Sequence, residues 1–358
     1  MCGPRPSEPC ARPGVGACYR GPEWHPAGAA CRKCRHGNGL WSGCQRARPA
    51  SRGRVGPLSR EAPAEKPAAP PQEQPAAKPA APPLPLHSLE GFSGVYLTET
   101  AYFANAPEGD AIAGKPCFAF SAVRIGQKDL ESLSMTVNLM NRVEFGYSFQ
   151  RLGLGDWGHD IRKATGLDLD HHSSLLHTVG ARVMLVREGE GGNPWVPAIT
   201  AGIRFKKNTT IGDINDDLAG VPRLLGYRND HSVDYTLAAS KTFVGVLPKP
   251  FILSVGLRST EAIHAGFVGF ARDRHTMFEC HGIFFLTDHL VLAGEYRRMP
   301  KELAALGKLV REPDDWWSLA FAYVINEHAT ATWGFAHLGS VLNHNERCCP
   351  LVQLKWEF

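Results

Sequence analysis

From about Leu86 to the last residue, apolar and polar side chains alternate with period two in one short run after another. This is the pattern of strands with one apolar and one polar face. The run 351–358 is the plainest: Val352, Leu354, Trp356 and Phe358 share one face, and Gln353, Lys355 and Glu357 the other. In 142–150, Val143, Phe145, Tyr147 and Phe149 stand opposite Arg142, Glu144, Gly146, Ser148 and Gln150. The alternation recurs around Ile203, Leu237, Val255, Cys280, Leu292, Phe321 and Trp333, and more weakly over 117–125, 132–139 and 175–187. About twelve strands of roughly nine to twelve residues are predicted, the length of a tilted strand that crosses a membrane.

A soluble sandwich would alternate in the same way, so the connections decide. Reading back from the end, the gaps are 339–349, 326–328, 299–315, 287–289, 261–274, 244–249, 208–231, 188–196, 152–174, 140–141 and 126–131. With one exception near the start, short turns alternate with longer loops. A sandwich has no reason to sort its connections by length, whereas an outer-membrane barrel keeps turns on one side and loops on the other. Aromatic residues at predicted strand ends (Trp195, Trp316, Trp317, Tyr296, Trp356 and Phe358) fit interfacial girdles. The fold is read as all-β, an antiparallel outer-membrane barrel over 117–358. The strand-like piece 95–103 would make the count odd, so 89–116 is assigned to an irregular lead-in or a lumen plug.

Alternation also predicts which charges point inward: Arg142, Glu144, Arg182, Arg204, Lys206, Asp234, Arg258, Glu279, His281, Glu295, Arg297, Lys355 and Glu357. The set is mixed in sign with a basic excess. A ring of basic side chains favours anionic solutes in a pore; the same charges, paired across a narrow lumen, would fill it instead.

Composition divides the rest of the chain. Residues 61–88 are a Pro/Ala-rich linker, too polar to bury a core and about 80 Å long if extended. Residues 1–60 carry Cys2, Cys10, Cys18, Cys31, Cys34 and Cys44 among Arg, Pro and Gly. Cys31 and Cys34 form a CxxC, yet no second CxxC or HxxxH completes a zinc site, and a disulfide knot is the other structural option. The expectation is no stable fold there, from a misassigned start or a frame error upstream of about residue 60. No signal peptide is visible at the start. The whole chain is 43% hydrophobic and 21% charged with a formal charge of +4, which excludes wholesale disorder and gives no concentrated basic face for nucleic acid. No run of eighteen apolar residues is present, so no membrane-spanning helix is expected.

Candidate chemistry is sparse. His171, His172, Ser173 and Ser174 follow Asp168 and Asp170 in a predicted loop, but no third group or GxSxG context supports hydrolysis. Glu279 and His281 lie two apart on one strand face and are a conceivable acid–base pair; a lumen hydrogen bond is the plainer reading. Gly212–Asp217 has acidic residues like a calcium loop without EF-hand spacing, and an exposed turn is expected. Cys117, Cys280, Cys348 and Cys349 are scattered, Cys280 toward lipid. No catalytic residue, cofactor or metal is assigned, and the chain is read as no enzyme.

Several motifs in order carry a resemblance. They are Leu89-Glu-Gly…Thr98…Ala101-Tyr102, Trp195-Val-Pro-Ala-Ile-Thr-Ala-Gly-Ile-Arg-Phe-Lys206, Asp234-Tyr-Thr-Leu-Ala-Ala-Ser-Lys-Thr242, the stretch Gly256–Phe270, and Leu286-Thr-Asp…Ala293-Gly-Glu-Tyr-Arg297. Over about 89–358 the chain resembles a family of bacterial outer-membrane barrel proteins catalogued as a domain of unknown function, number 3034. The resemblance implies location and fold and transfers no catalytic residue. Members are exported, so the lack of a signal peptide is a departure. Trp356-Glu-Phe358 is similar to the C-terminal aromatic signal that such barrels present to their assembly machinery. The expected function is a porin-like passive channel for small hydrophilic or anionic solutes, in contact with outer-membrane lipid. The alternatives are a non-conducting structural or surface-interaction barrel and, less favoured, a membrane-embedded hydrolase.

Overall fold

The computed structural model describes residues 86–301 and 304–358. The expectations for residues 1–60 and for most of the 61–88 linker fall outside these. The sheet opens with β1 (Cys117–Ile125), β2 (Lys128–Leu139), β3 (Val143–Gly153) and β4 (Ser173–Val186). It continues through β5 (Ala198–Asn208), β6 (His231–Phe243), β7 (Phe251–Ala262) and β8 (Phe270–Phe285). After β9 (Leu290–Arg297), β10 (Trp316–Val324) and β11 (Ala329–His337) comes a separate short hairpin, β12 (Gly339–Val341) with β13 (His344–Glu346), and then β14 (Cys349–Glu357). Each strand of the main sheet pairs antiparallel with the next, and β1 pairs with β14, Cys117 opposite Glu357 and Val123 opposite Leu351. Twelve strands thus close into a barrel among the described residues, leaving no free edge.

The connections sort as their lengths predict. One end carries 140–142, 187–197, 244–250, 286–289 and 325–328; the other carries 154–172, 209–230, 263–269, 298–315 and 338–348. The exceptions are the two-residue turn 126–127 on the long-loop side and 263–269 on that same side, which is shorter than 187–197 on the other because β8 starts early, at Phe270. Two strands start earlier than predicted. β2 begins at Lys128, and β8 at Phe270, where Arg272, Asp273 and Arg274 break the alternation on a stretch exposed on both faces. The outer face is apolar: Phe120 is 50%, Leu133 55% and Val352 54% exposed, which in water would be a large unfavourable patch and in lipid is the favoured surface. Rings gather near both rims. Phe243, Phe251 and Phe284 stack at the short-turn end with Trp356, Phe118 and Phe358 nearby in register, and Trp317 stacks on His337 at the other. Trp316, read as part of the girdle, instead turns inward and is buried, because β10 places it and Trp317 on opposite faces.

Two apolar layers cap the long-loop end. One lies inside the barrel mouth and includes Leu89, Tyr96, Leu97, Leu130, Leu152, Phe267, Phe270 and Trp316. The second is built from the loops. It draws on α1 (Trp157–Thr165), α2 (Ile211–Asp217) and α3 (Val221–Leu225), joining Trp157, Ile161, Ile211, Ile214, Tyr227 and Val310. The acidic stretch at 212–217 is therefore helix α2, not an exposed turn, because Ile211, Ile214 and Leu218 recur at helical spacing and are buried under the loops.

Candidate functional site

The lumen contains chain. Residues 86–101 are buried without exception, and Ala104 is buried where the segment leaves. Leu86, His87 and Ser88, the first described residues, are already buried, so they lie with the plug and not with the linker expected up to 88. Leu86 packs beside Ile252, Ile283 and Val291 near the short-turn end. Leu89, Tyr96 and Leu97 reach the apolar layer of the opposite mouth. Ala101 then returns to Met184 and Ala198 near the short-turn end, and the bridge between Ala113 and Leu139 leads into β1. Between Leu89 and Tyr96 the chain comes back to the short-turn end, where Ser93 meets Glu144 and Val95 joins Leu86, so the segment folds back on itself more than once.

An irregular segment buried in this way needs partners for its own backbone, and the wall supplies them. Glu295 Oε2 accepts from the amides of Leu97 and Thr98 at 2.8 and 2.9 Å. Leu89 O accepts from Ser132 Oγ at 2.8 Å and Gln150 Nε2 at 2.9 Å, and Gly91 O from Thr136 Oγ1 at 2.9 Å. Gln353 Nε2 donates to His87 O at 2.7 Å, and Ser240 Oγ accepts from Ala101 N at 2.7 Å. At the closest approach Gly91 faces Gly146 of β3. A Cβ on Gly146 would run into Gly91 O and the Phe92 ring, so only glycine leaves room there.

Electrostatics fix the plug further. Glu90 lies 2.5 Å from Arg204, 2.8 Å from Lys206, 2.7 Å from Arg258 and 3.8 Å from Arg297. Glu99 pairs with Arg204, with Arg258 at 3.4 Å and with Arg182 at 3.8 Å. The wall's own acids complete the network. Glu144 holds Arg182 at 2.5 Å, Asp234 meets Lys206 at 2.9 Å and Arg258 at 3.3 Å, and Glu279 meets Arg258 at 2.6 Å and Arg297 at 3.0 Å. Five wall cations thus pair with three wall carboxylates and with the plug's two, while Glu295 is taken up by the Leu97 and Thr98 amides. Phe92 lies under the guanidinium of Arg204, 4.4 Å from ring centroid to Cζ, where the ring face adds attraction.

Of the thirteen residues expected to line the lumen, Glu144, Arg182, Arg204, Lys206, Asp234, Arg258, Glu279, His281, Glu295, Arg297, Lys355 and Glu357 are buried inside. Arg142 is not among them: it sits in the 140–142 turn below β3, exposed, so strand alternation does not apply to it. Without it the inward set holds six basic and five acidic residues, a smaller basic excess than alternation implied. Lys355 and Glu357 pair with each other at 2.5 Å. The residues that alternation missed are Glu90 and Glu99, since they stand on no strand; the strand-count parity that assigned 89–116 to an irregular lead-in or a lumen plug was the available signal.

The pairs inspected for chemistry are not assembled. Glu279 is taken by Arg258 and Arg297, while His281 Nδ1 meets Thr98 Oγ1 at 2.8 Å. Ser174 Oγ donates to Phe267 O at 2.7 Å under Asn208, and His171 Nδ1 is 2.8 Å from Asp217 Oδ2, which raises the His171 pKa above its ordinary value. Cys348 is exposed and Cys349 buried at the start of β14. Small spaces remain in both apolar layers. A cavity of about 40 Å³ at the plug tip is lined by Tyr96, His264 and Trp316 among apolar neighbours, and one of about 70 Å³ lies within the loop cap, lined by Trp157, Leu218 and Leu309.

Among solved structures, the chain is similar to the KdgM porin at 8% identity over 68% of this chain and 99% of that one, with a TM-score of 0.40. It is similar to the outer membrane protein Omp33 of Acinetobacter baumannii at 8% identity, 69% and 99% coverage and a TM-score of 0.38. The toluene transporter TodX of P. putida follows at 11% identity, 71% and 91% coverage and a TM-score of 0.37. The barrel assignment stands on the strand pairing above. No curated protein matches the chain. The family model described as "Protein of unknown function (DUF3034)" matches residues 85–350, and the chain belongs to that family.

Proposed function

We propose that the protein is an outer-membrane barrel of porin type that is closed at rest, with residues 86–104 as its gate. When the gate is withdrawn it passes small hydrophilic, preferentially anionic solutes by diffusion. The observation that carries this reading is the ion-pair network: five wall cations are held by three wall carboxylates together with Glu90 and Glu99 of the plug. Withdrawal removes two negative charges and leaves six basic against five acidic residues facing a narrow polar passage, a basic excess that favours anions. The apolar outer face is the lipid contact, and the exposed Phe358, edge-on to Phe118 at 5.7 Å, is available to the assembly machinery. The loop layer is a second closure in series, and its separate apolar core supports the other reading, a barrel that serves as a sealed surface platform.

The deciding experiment compares the full chain with a variant lacking residues 86–104 in planar lipid bilayers. The gate reading expects near silence from the full chain and anion-selective conductance from the deletion. A deletion variant that still migrates as a heat-modifiable barrel yet carries no current would favour the sealed platform. Equal conductance from both would remove the gate.

A further inference from the structure

Outside the lumen, two long-side connections bring four side chains into one cluster. Asp156 stands at the start of α1 and Asp160 one turn on, so both carboxylates share a helix face. Asn343 and His344 come from the tip of the β12–β13 hairpin. One ligand atom each from Asp156, Asp160 and His344 lie within 4.8 Å of one another. His344 Nδ1 is 3.2 Å from Asp156 Oδ2, and Asn343 Nδ2 is 2.9 Å from Asp160 Oδ2 and 3.5 Å from Asp156 Oδ1.

Two observations point to a cation. The first is charge. Asp156 and Asp160, with Glu346 alongside, are three carboxylates, and the cation paired with them is Lys128, fully buried, 3.5 Å from Asp156 and 4.0 Å from Glu346. One lysine leaves two negative charges over in a partly enclosed place, a cost that a divalent ion removes. The second is Asn343. It is only 1% exposed, its amide head lies against both carboxylates, and its Oδ1 has no partner. Amide oxygen and nitrogen exchange by a half-turn of the side chain. With a cation at the centre, the turned amide presents its oxygen to the ion as a ligand in place of the Nδ2 that now faces the carboxylates.

We propose that Asp156 Oδ2, an oxygen of Asp160, His344 Nδ1 and Asn343 Oδ1 form a binding site for one divalent cation of the manganese–zinc class. The class follows from the donor set, three oxygens and one imidazole nitrogen. Ligands about 2.1 Å from a common ion are at most about 4.2 Å apart, so closing the cluster around it takes a shift of under about 1 Å. Asp156 Oδ1 stays free for Lys128. The ion ties the 154–172 connection to the 338–348 connection.

The test uses the full chain refolded in detergent, stripped with chelator and titrated with Mn2+ while the sharp six-line resonance of the free ion is followed. Mn2+ is the probe because its preference for oxygen ligands keeps it off the chain's thiolates. One Mn2+ per chain is expected, displaced by Zn2+ and weakened at least about tenfold by His344→Ala and by Asp160→Asn. His289→Ala, at the opposite end of the barrel, is expected to leave uptake unchanged. Absence of stoichiometric uptake, or uptake that neither variant changes, overturns the site. If a variant loses its heat-modifiable gel band, pulsed resonance on the wild-type chain decides: coupling from a directly bound imidazole nitrogen is required, and its absence is equally fatal.

Discussion

Replacing Glu90 and Glu99 together by glutamine removes the plug's two charges with little change of side-chain volume. Each glutamine keeps the length and one acceptor oxygen, but its amide nitrogen meets a cationic donor where the second oxygen was, so the Coulomb attraction to Arg204, Lys206, Arg258, Arg297 and Arg182 and part of the hydrogen bonding are lost. Breaking one side of a buried ion pair costs about 3–5 kcal/mol, because the partner charge stays behind without compensation. Water enters an open lumen and relieves part of that, so the lower end applies. The two carboxylates share Arg204 and Arg258, so their effects do not simply add. A floor of about 3 kcal/mol for the pair, at about 1.4 kcal/mol per tenfold, moves the open-to-closed ratio by roughly a hundredfold. Single-channel recording in asymmetric potassium chloride reads both quantities, the open fraction from dwell times and the charge preference from the reversal potential. Long anion-selective openings are expected where the wild type gives brief rare ones. A double variant that keeps its heat-modifiable band and stays as silent as the wild type would refute the electrostatic grip; openings selective for cations would refute the charge count.

Three further outcomes follow from other parts of the structure. Gly146→Leu puts a side chain where Gly91 O and Phe92 now lie, so it should expel the plug while leaving the barrel closed, read as new protease cleavage within 86–104 with an unchanged gel shift. The His171–Asp217 contact ties two long connections. Its hydrogen bond raises the pKa of His171 and lowers that of Asp217. His171's share is fully present below the ordinary histidine value of about 6.5 and is lost as pH rises through the raised one; Asp217's share is present above about 3.9 and is lost as pH falls through the lowered one. Limited proteolysis of the 154–172 connection should therefore speed up in mildly alkaline buffer, and His171→Ala should abolish that dependence. Phe358→Ala, which removes an exposed aromatic packed on Phe118 and Trp356, should lower the yield of assembled barrel in cells more than Lys355→Ala, and equal losses would count against the terminal aromatic signal.

The barrel was legible because period two is a local property and lipid outside plus a polar lumen inside forces it on every strand. Where two-sided exposure relaxes that demand, as at Arg272–Arg274, the strand start was missed, and where a residue sits in a turn, as Arg142 does, the inward assignment failed. Alternation identified the lumen charges but not what they do. Their partners Glu90 and Glu99 lie on no periodic element, and pairings such as Leu97 with Glu295, separated by 198 positions, leave no trace in local spacing. The side-chain cluster proposed to bind a cation was invisible for the same reason, since Asp160 and Asn343 are brought together from 183 positions apart.

Leu86 lies near the short-turn end, and the plug's other limb, through Ala101 and the Ala113–Leu139 bridge, returns to that end before β1 begins. Both described ends of the segment therefore lie toward one mouth, and the described chain threads the ring nowhere. Topologically the described segment is a cork seated from one mouth: withdrawing residues 86–104 through it would leave β1 paired with β14. Reversible opening thus needs no strand to separate, only the loss of contacts along one loop.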